Sequence, residues 1–341
     1  MMNRQRGFFD EQDRLELLSK QGDPLEKLNQ MIPWEIFRHQ LKKYFAKEPK
    51  GPGGRPPFDY LVMFKILILQ RLYSLSDYQM QYQLLDRLSF QRFLNLGIND
   101  TVPDEKTIWL FRETLTQHGA IEKLFQRFQA LLESKGVIAN TGSIIDASFV
   151  EVPRQRNTRE ENKQIKEGKV PEEWKANPAK ESQKDTDARW TKKNERTFFG
   201  YKDHVKVDKA SKLITSYTVT DASVHDSQAV EKLVDKRDKH HELYADSAYV
   251  GPRIEKVLEK RKIRNRIHEK GYRNRPLTKR QMQSNRKKSS IRARVEHVFG
   301  HITNSMKGFC IRSIGIVRAR AMVGMINLTY NIVRFVQLQK A

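Results

Sequence analysis

The chain has 341 residues, 38% of them apolar, enough for a sizeable core and for two or three domains. Its 64 lysines and arginines stand against 41 acidic residues, a net charge of +23. An excess of that size argues against a small-metabolite enzyme and for a polyanionic partner that releases counterions on binding; the alternative is a charge that serves only solubility or attraction to a membrane surface. Cys310 is the single cysteine, which excludes a disulfide framework and a cysteine zinc site and points to a reducing compartment. The start, basic and then aromatic to Phe9 but followed at once by Asp10, Glu11 and Asp13, does not fit a signal peptide. The apolar stretches Tyr60 to Leu69 and Ile314 to Val336 are interrupted by Lys65 and by Arg318 and Arg320. Neither gives the ~18 uninterrupted apolar residues of a spanning helix, so a soluble, cytoplasmic protein without a membrane partner is expected.

Residues 1–50 read as an amphipathic helical arm, with Trp34, Phe37, Leu41 and Phe45 at helical spacing after Pro33. The run Lys50-Gly51-Pro52-Gly53-Gly54-Arg55-Pro56-Pro57 excludes helix or strand interior and marks a linker or turn. Residues 51–135 read as a helical DNA-binding domain. One helix runs from Asp59 with Leu61, Phe64, Leu67 and Ile68 on a face; a second starts at Ser76, a good N-cap, and continues through Tyr82, Leu85 and Leu88. A third starts near Asp104 and carries Ile108, Trp109, Phe111 and Leu115. A helix-turn-helix and a plain bundle are equally compatible with this pattern, and Lys106 and Arg112 are the third helix's candidate base-reading side chains.

The signal changes near residue 140. Ser143 to Val150 is a β-branched strand carrying Asp146. Residues 151–197 are charged, proline-bearing and almost free of aliphatics apart from Trp174 and Trp190, and are expected to be disordered or ordered by a partner. Strands resume at Phe198–Val207 and Leu213–Val219, a hairpin across Asp208-Lys209-Ala210-Ser211. A helix from Ser227, a strand Glu242–Ala245 running into Asp246, a helix from Pro252, a short strand Ile263–Ile267, a basic helix to Glu296 and a last helix through Met325, Leu328, Ile332 and Phe335 complete the chain. The expected fold of 136–341 is therefore α/β, a mixed sheet flanked by helices in the order of the ribonuclease H-like fold, after an all-helical N-terminal domain.

Phosphoryl transfer on DNA needs an activated oxygen nucleophile and a neutralised leaving oxygen, and two hard cations ~3.5–4 Å apart on carboxylates supply both. Asp146 lies inside an apolar strand, where an unpaired charge is costly, and Asp246 ends a second one, Leu243-Tyr244-Ala245. Glu296 shares a helical face with Arg292; alone it would be an ordinary i,i+4 pair. Asp221, His225 and Asp226 compete for a catalytic role but read as turn and helix-capping residues, and Asp185 and Asp187 as acids that order the insertion through arginines. The stretch from Arg253 to Arg320 holds many more bases than acids. Arg286, Lys287, Lys288 and Arg294 there read as a phosphate-tracking surface.

The Asp146 strand, Tyr244-Ala245-Asp246-Ser247-Ala248-Tyr249 and Val295-Glu296-His297 resemble the three catalytic motifs of DDE transposases of bacterial insertion sequences, those of the insertion-sequence-five family above all. Gly54-Arg55-Pro56-Pro57, Leu75-Ser76-Asp77-Tyr78-Gln79, Arg87-Leu88-Ser89-Phe90 and Val102-Pro103-Asp104 are similar to that family's helical N-terminal domain. So are Asp185 to Trp190 and Gly200-Tyr201-Lys202, in and just after the insertion. The resemblance implies a triad of Asp146, Asp246 and Glu296 holding Mg²⁺ or Mn²⁺, two ions, and DNA contacts from Arg189, Trp190, Lys202 and Arg292. It implies double-stranded DNA, the insertion-sequence ends and target, as partner, and a homodimer on DNA. The family's Tyr-x2-Arg-x3-Glu-x6-Lys signature is incomplete: Ser289 and Thr303 stand where tyrosine and lysine would be, and Lys307 is a substitute for the latter. A catalytically inactive, repurposed DNA-binding protein and a ribonuclease H-like nuclease of other substrates are the competing readings.

Overall fold

The computed structural model describes residues 7, 9–45, 56–193 and 195–339. Lys50 to Arg55, most of the linker read from the sequence, lie outside the described residues. The chain divides into two compact units, Met1–Phe128 with Ile332–Ala341, and Gln129–Asn331.

The first unit is helical: α1 (Asp10–Lys20), α2 (Pro24–Met31), a 3₁₀ turn (Trp34–Phe37), α3 (Arg38–Phe45), α4 (Tyr60–Leu72), α5 (Asp77–Asp86), α6 (Leu88–Leu94), α7 (Glu105–Gln117) and the start of α8 (Ala120–Ser134). The caps are those the sequence marks. Asp59 accepts from Leu61 N and Val62 N, Ser76 forms a reciprocal capping box with Gln79, and Asp104 accepts from Thr107 N. One expectation needs correcting: the helix from Ser76 does not continue through Leu88. Arg87 is extended and separates α5 from α6, and its guanidinium lies over the rings of Tyr73 and Phe90. Helix α4 is buried on nearly every side, from Leu61 to Gln70, and forms the centre of the unit. Phe37 packs against it at Phe64, the rings tilted and their centroids 4.8 Å apart.

The second unit is a mixed α/β layer. Among its described residues six strands form one sheet: β1 (Gly142–Glu151), β2 (Arg189–Lys193), β3 (Arg196–Asp208), β4 (Ile214–Asp221), β5 (Glu242–Tyr244) and β6 (Arg264–Asn265). β3 pairs antiparallel with β1, with β4 and, over its first residues, with β2; β1 and β5, and β5 and β6, are parallel. Gly200 on β3 lies hard against the end of β1. At φ +145°, an added Cβ would lie 2.2 Å from Val150 O, so only glycine fits there.

Short helices α12 (Val230–Leu233) and α13 (Pro252–Lys260) cover one face, their apolar sides meeting Ile145, Leu243, Ala245 and Tyr249 in a buried cluster. The long basic helix α14 (Lys279–Gly300) continues into a π turn at His301–Ser305, and α15 (Ile316–Leu338) follows. Asn331, fully buried, ties α15 to β4 through Ile214 N and O. Among the described residues no helix is long and apolar enough to cross a membrane.

The segment 151–197 departs from its expected disorder. It folds into α9 (Arg159–Lys166), α10 (Glu172–Lys175), α11 (Pro178–Ser182) and β2. A polar network built on one aromatic substitutes for an aliphatic core. Trp174 is fully buried and donates from Nε1 to Glu161 at 2.6 Å, while Lys180 and Lys184 lie over its ring. Asp185 does not work through arginines as expected; it accepts from the Tyr201 hydroxyl and from Gly315 N, and Asp187 accepts from Ile316 N. The acids thus fasten the segment to β3 and to the start of α15.

Candidate active site

Parallel pairing brings the two aspartates level. Ile144 is in register with Tyr244, so two residues on, Asp146 and Asp246 stand side by side where β5 ends. Asp146 lies at mid-strand, its Oδ1 held by Ala147 N at 2.9 Å. Asp246 opens the one-turn 3₁₀ segment Ser247–Tyr249 and its Oδ1 accepts from Ala248 N at 2.8 Å. Helix α14 crosses this point with Arg292, which donates to Asp146 Oδ2 at 2.7 Å and, one turn on, to Glu296 Oε1 at 3.1 Å. Glu296 is the exposed member, its side chain 61% accessible against 15% for Asp146.

The electrostatics follow from this placement. Burial is the main reason that the Asp146 carboxyl is pushed up to about 6; Ala147 N and Arg292 pull it down, Asp246 adds to the rise and Lys193 lowers it. The His268 imidazole is held below its usual value by burial first and then by Arg292 and Lys288, with Asp246 acting against them. Two neighbouring carboxylates of hard oxygen, that of Asp146 largely buried, are the donor chemistry that a divalent cation takes, and Asp146 and Asp246 fit it. Glu296 meets Asp146 through Arg292, and among the described residues no three His, Cys, Asp or Glu side chains are gathered closely enough to hold an ion.

Residues 139–332, more than half of the chain, match the family described as Transposase DDE domain. The chain belongs to that family. Residues 12–114 match a second one, Transposase domain (DUF772). A solved structure, the cryo-EM structure of a piggyBac transposase synaptic complex with hairpin DNA, is similar over 93% of this chain and 75% of that one, at 13% identity and a TM-score of 0.46.

The cationic side chains of this DDE-family transposase divide into two groups. Arg286, Lys287, Arg294, Lys307 and Lys106 are exposed, although Arg294 also donates to Lys209 O at 2.6 Å. Trp190 is 39% exposed, with the Arg154 guanidinium over its ring. Four others are engaged internally. Arg112 forms a two-pronged pair with Asp77, both at 2.6 Å, and Arg189 donates to the carbonyls of Thr186, Ala188 and Ile165. Lys202 is buried against Asp226 and Val224 O, and Lys288 holds Ile267 O and Glu269. Asp221 closes a turn through Ser223, and His225 caps the turn Asp226–Ala229. Asp226, through Lys202, is structural support beside the carboxylates. Sequence reasoning missed three groups around the aspartates: His268, Tyr249, and Lys193, whose charge acts on Asp146. Tyr249 lies in the quoted Asp246 motif, so proximity in sequence was a usable signal for it alone.

Proposed function

We propose that this transposase binds the terminal inverted repeats of its insertion sequence and catalyses metal-dependent strand cleavage and strand transfer. In this reading residues 51–135 recognise the DNA, and residues 136–341 form a ribonuclease H-like catalytic domain with its insertion at 151–197. Two copies act together as a homodimer on the DNA ends. The carrying observation is the register that sets Asp146 beside Asp246, with Arg292 and Glu296 brought across Asp146 by α14. Membership of the transposase family and a net charge of +23 support DNA as the substrate.

Asp146, Asp246 and Glu296 would hold Mg²⁺ or Mn²⁺, two ions, which when bound activate the attacking oxygen and neutralise the leaving one. The chain's own groups prepare the site. Ala147 N and Ala248 N fix one oxygen of each aspartate and so orient the other. The Arg292 guanidinium neutralises Asp146 and pairs with Glu296, so its two N–H donors would turn to an incoming phosphate only as those carboxylates take up the ions. Arg286 and Lys287, one and a half turns earlier on the same helix, extend the positive surface along a duplex backbone.

A DNA-binding protein that does not cleave is the second reading, favoured by the pairing of Arg292 with both Asp146 and Glu296. One experiment separates them. Wild type should cut end DNA in Mg²⁺, and Asp146→Ala, Asp246→Ala and Glu296→Ala should each lose cleavage while keeping near-native affinity for that DNA. Persistent cleavage by Asp246→Ala refutes the triad, and absence of cleavage by wild type supports the second reading.

A further inference from the structure

After β6 the chain is fastened beside the candidate site and then released. Arg266 N donates to Leu243 O at 2.9 Å and His268 N to Ala245 O at 3.1 Å, so this run ends next to Asp246. Lys288 Nζ holds Ile267 O, and Asn285 exchanges two hydrogen bonds with the Glu269 backbone, all at 2.9 Å, which ties the run to α14. Beyond Glu269, every residue from Lys270 to Pro276 is exposed.

That exposed stretch is nevertheless shaped. Tyr272 N donates to Arg275 O at 3.1 Å and Arg275 N to Tyr272 O at 3.0 Å, a reciprocal pair that closes a two-residue turn tipped by Arg273 and Asn274. Pro276 restricts the chain that follows. Neither guanidinium of the turn has a carboxylate or hydrogen-bond partner among the described residues. From Lys270 to Val295 the sequence holds ten bases and no acid, so nothing local neutralises them. Exposed arginines are ordinarily a solvated face, but two on one closed turn repel each other, and a polyanion relieves that repulsion. Size selects the part of the duplex. A helix is ~10–12 Å across and fills the major groove, whereas a narrow turn bearing arginines suits the minor groove, ~6 Å wide, whose floor presents acceptors. Arg273 is five residues beyond His268, so their Cα atoms are at most ~18 Å apart, about five base pairs of duplex.

We propose that the Tyr272–Arg275 turn reads the minor groove of the DNA end within about half a helical turn of the cleaved phosphate, Arg273 and Arg275 donating to base acceptors there. The proposal rests on the reading of Asp146 and Asp246 as the cleavage centre. The N2 amino group of guanine projects among those acceptors, so G·C pairs are disfavoured at this position. The turn thereby adds a sequence discrimination that the phosphate contacts of Arg286 and Lys287 lack.

The test uses the full chain in chelator and two end duplexes that differ only in the half-turn beside the cut. One carries G·C pairs there and the other inosine·C pairs, which keep the major groove of G·C but lack the N2 amino group. Wild type should bind the inosine duplex at least about fivefold more tightly, the lower end of the cost of one misread pair. Arg273→Ala with Arg275→Ala should bind the two duplexes alike and melt at the wild-type temperature. Equal binding of both duplexes by wild type overturns the proposal, even if the double variant is weaker on both, because the arginines are then phosphate contacts only. A double variant that keeps the wild-type preference also overturns it. So does one that melts lower, which would mean that the guanidiniums hold the fold. Moving the substituted block one full helical turn inward should abolish the preference. If the preference appears only for that distant block and the double variant still loses it, the turn reads the groove and the reading of the aspartates as the cleavage centre fails instead.

Discussion

Asp203 offers a direct check on how this sheet handles charge. It lies on β3, opposite Ser148 and Val219, has no exposed surface, and neither carboxylate oxygen has a well-formed hydrogen bond, the Asn327 side chain being the one polar group that acts on it. Burial pushes the group up to about 7, with Asn327 the one side chain opposing the rise. The unfolded chain titrates near the ordinary 3.8, so between that value and 7 the folded state holds a proton that the unfolded state has released. The group's stabilisation is thus complete below about pH 4 and is lost as pH rises through 7. Integrating the linkage from pH 5 to pH 8, at ~1.4 kcal/mol per pH unit until the folded group itself titrates, gives a loss of about 2.5 kcal/mol. Asp203→Asn is close to the protonated acid in shape and does not titrate, so it escapes the loss. Other titrating groups are common to both proteins and cancel in the difference. The variant's melting temperature relative to wild type, at constant ionic strength, should therefore rise by roughly 5–10 °C between pH 5 and pH 8, at ~2–4 °C per kcal/mol for a unit of this size. A difference in melting temperature that does not change with pH, or that falls between pH 5 and pH 8, refutes the account of a buried acid without a well-formed hydrogen bond.

Trp174→Ala should cost ~3–5 kcal/mol locally and convert 151–197 into a segment cut rapidly by protease. In wild type the segment should resist cleavage without DNA, because its order comes from Glu161, Lys180 and Lys184 around the indole. Arg286→Ala with Lys287→Ala should flatten the log–log salt slope of DNA binding by ~1–2 units on end and scrambled duplexes alike, and an unchanged slope would make them a solvated face. Lys288→Ala should instead lower the melting temperature, because its ammonium holds Ile267 O at 2.9 Å.

Much of the fold was legible because its signals are local. Ser76 reads as an N-cap and Asp59 and Asp104 as helix starts in the sequence, and all three cap helices in the structure; the strands around Asp146 and before Asp246 show as apolar runs that end at turn residues. The insertion was misread because hydrophobic content averages over a segment, whereas Trp174 orders its surroundings through one buried ring and a hydrogen-bonded glutamate. No count of aliphatic residues detects that arrangement. The break at Arg87 was missed for a related reason. The helical pattern continues through it, and the extended backbone comes with a guanidinium set over Tyr73, at the end of α4, and Phe90, in α6.

The candidate site divides in the same way. Aspartates at 146 and 246 were readable because a charge inside or at the end of an apolar strand needs compensation, and that need is written in the neighbouring residues. Which cations answer it is a tertiary matter. Arg292 looks from the sequence like one member of an i,i+4 pair with Glu296, yet it also reaches 146 residues back to Asp146. Charge counting fails most clearly for the bases. Arg112, Arg189, Lys202 and Lys288 contribute to the +23 but are already engaged by Asp77, backbone carbonyls, Asp226 and Glu269. A phosphate would have to displace those partners before it gained anything, whereas Arg286 and Lys287 present their charge to solvent. The polyanion preference therefore follows from the total charge, while the location of the DNA path depends on which cations the fold has left exposed.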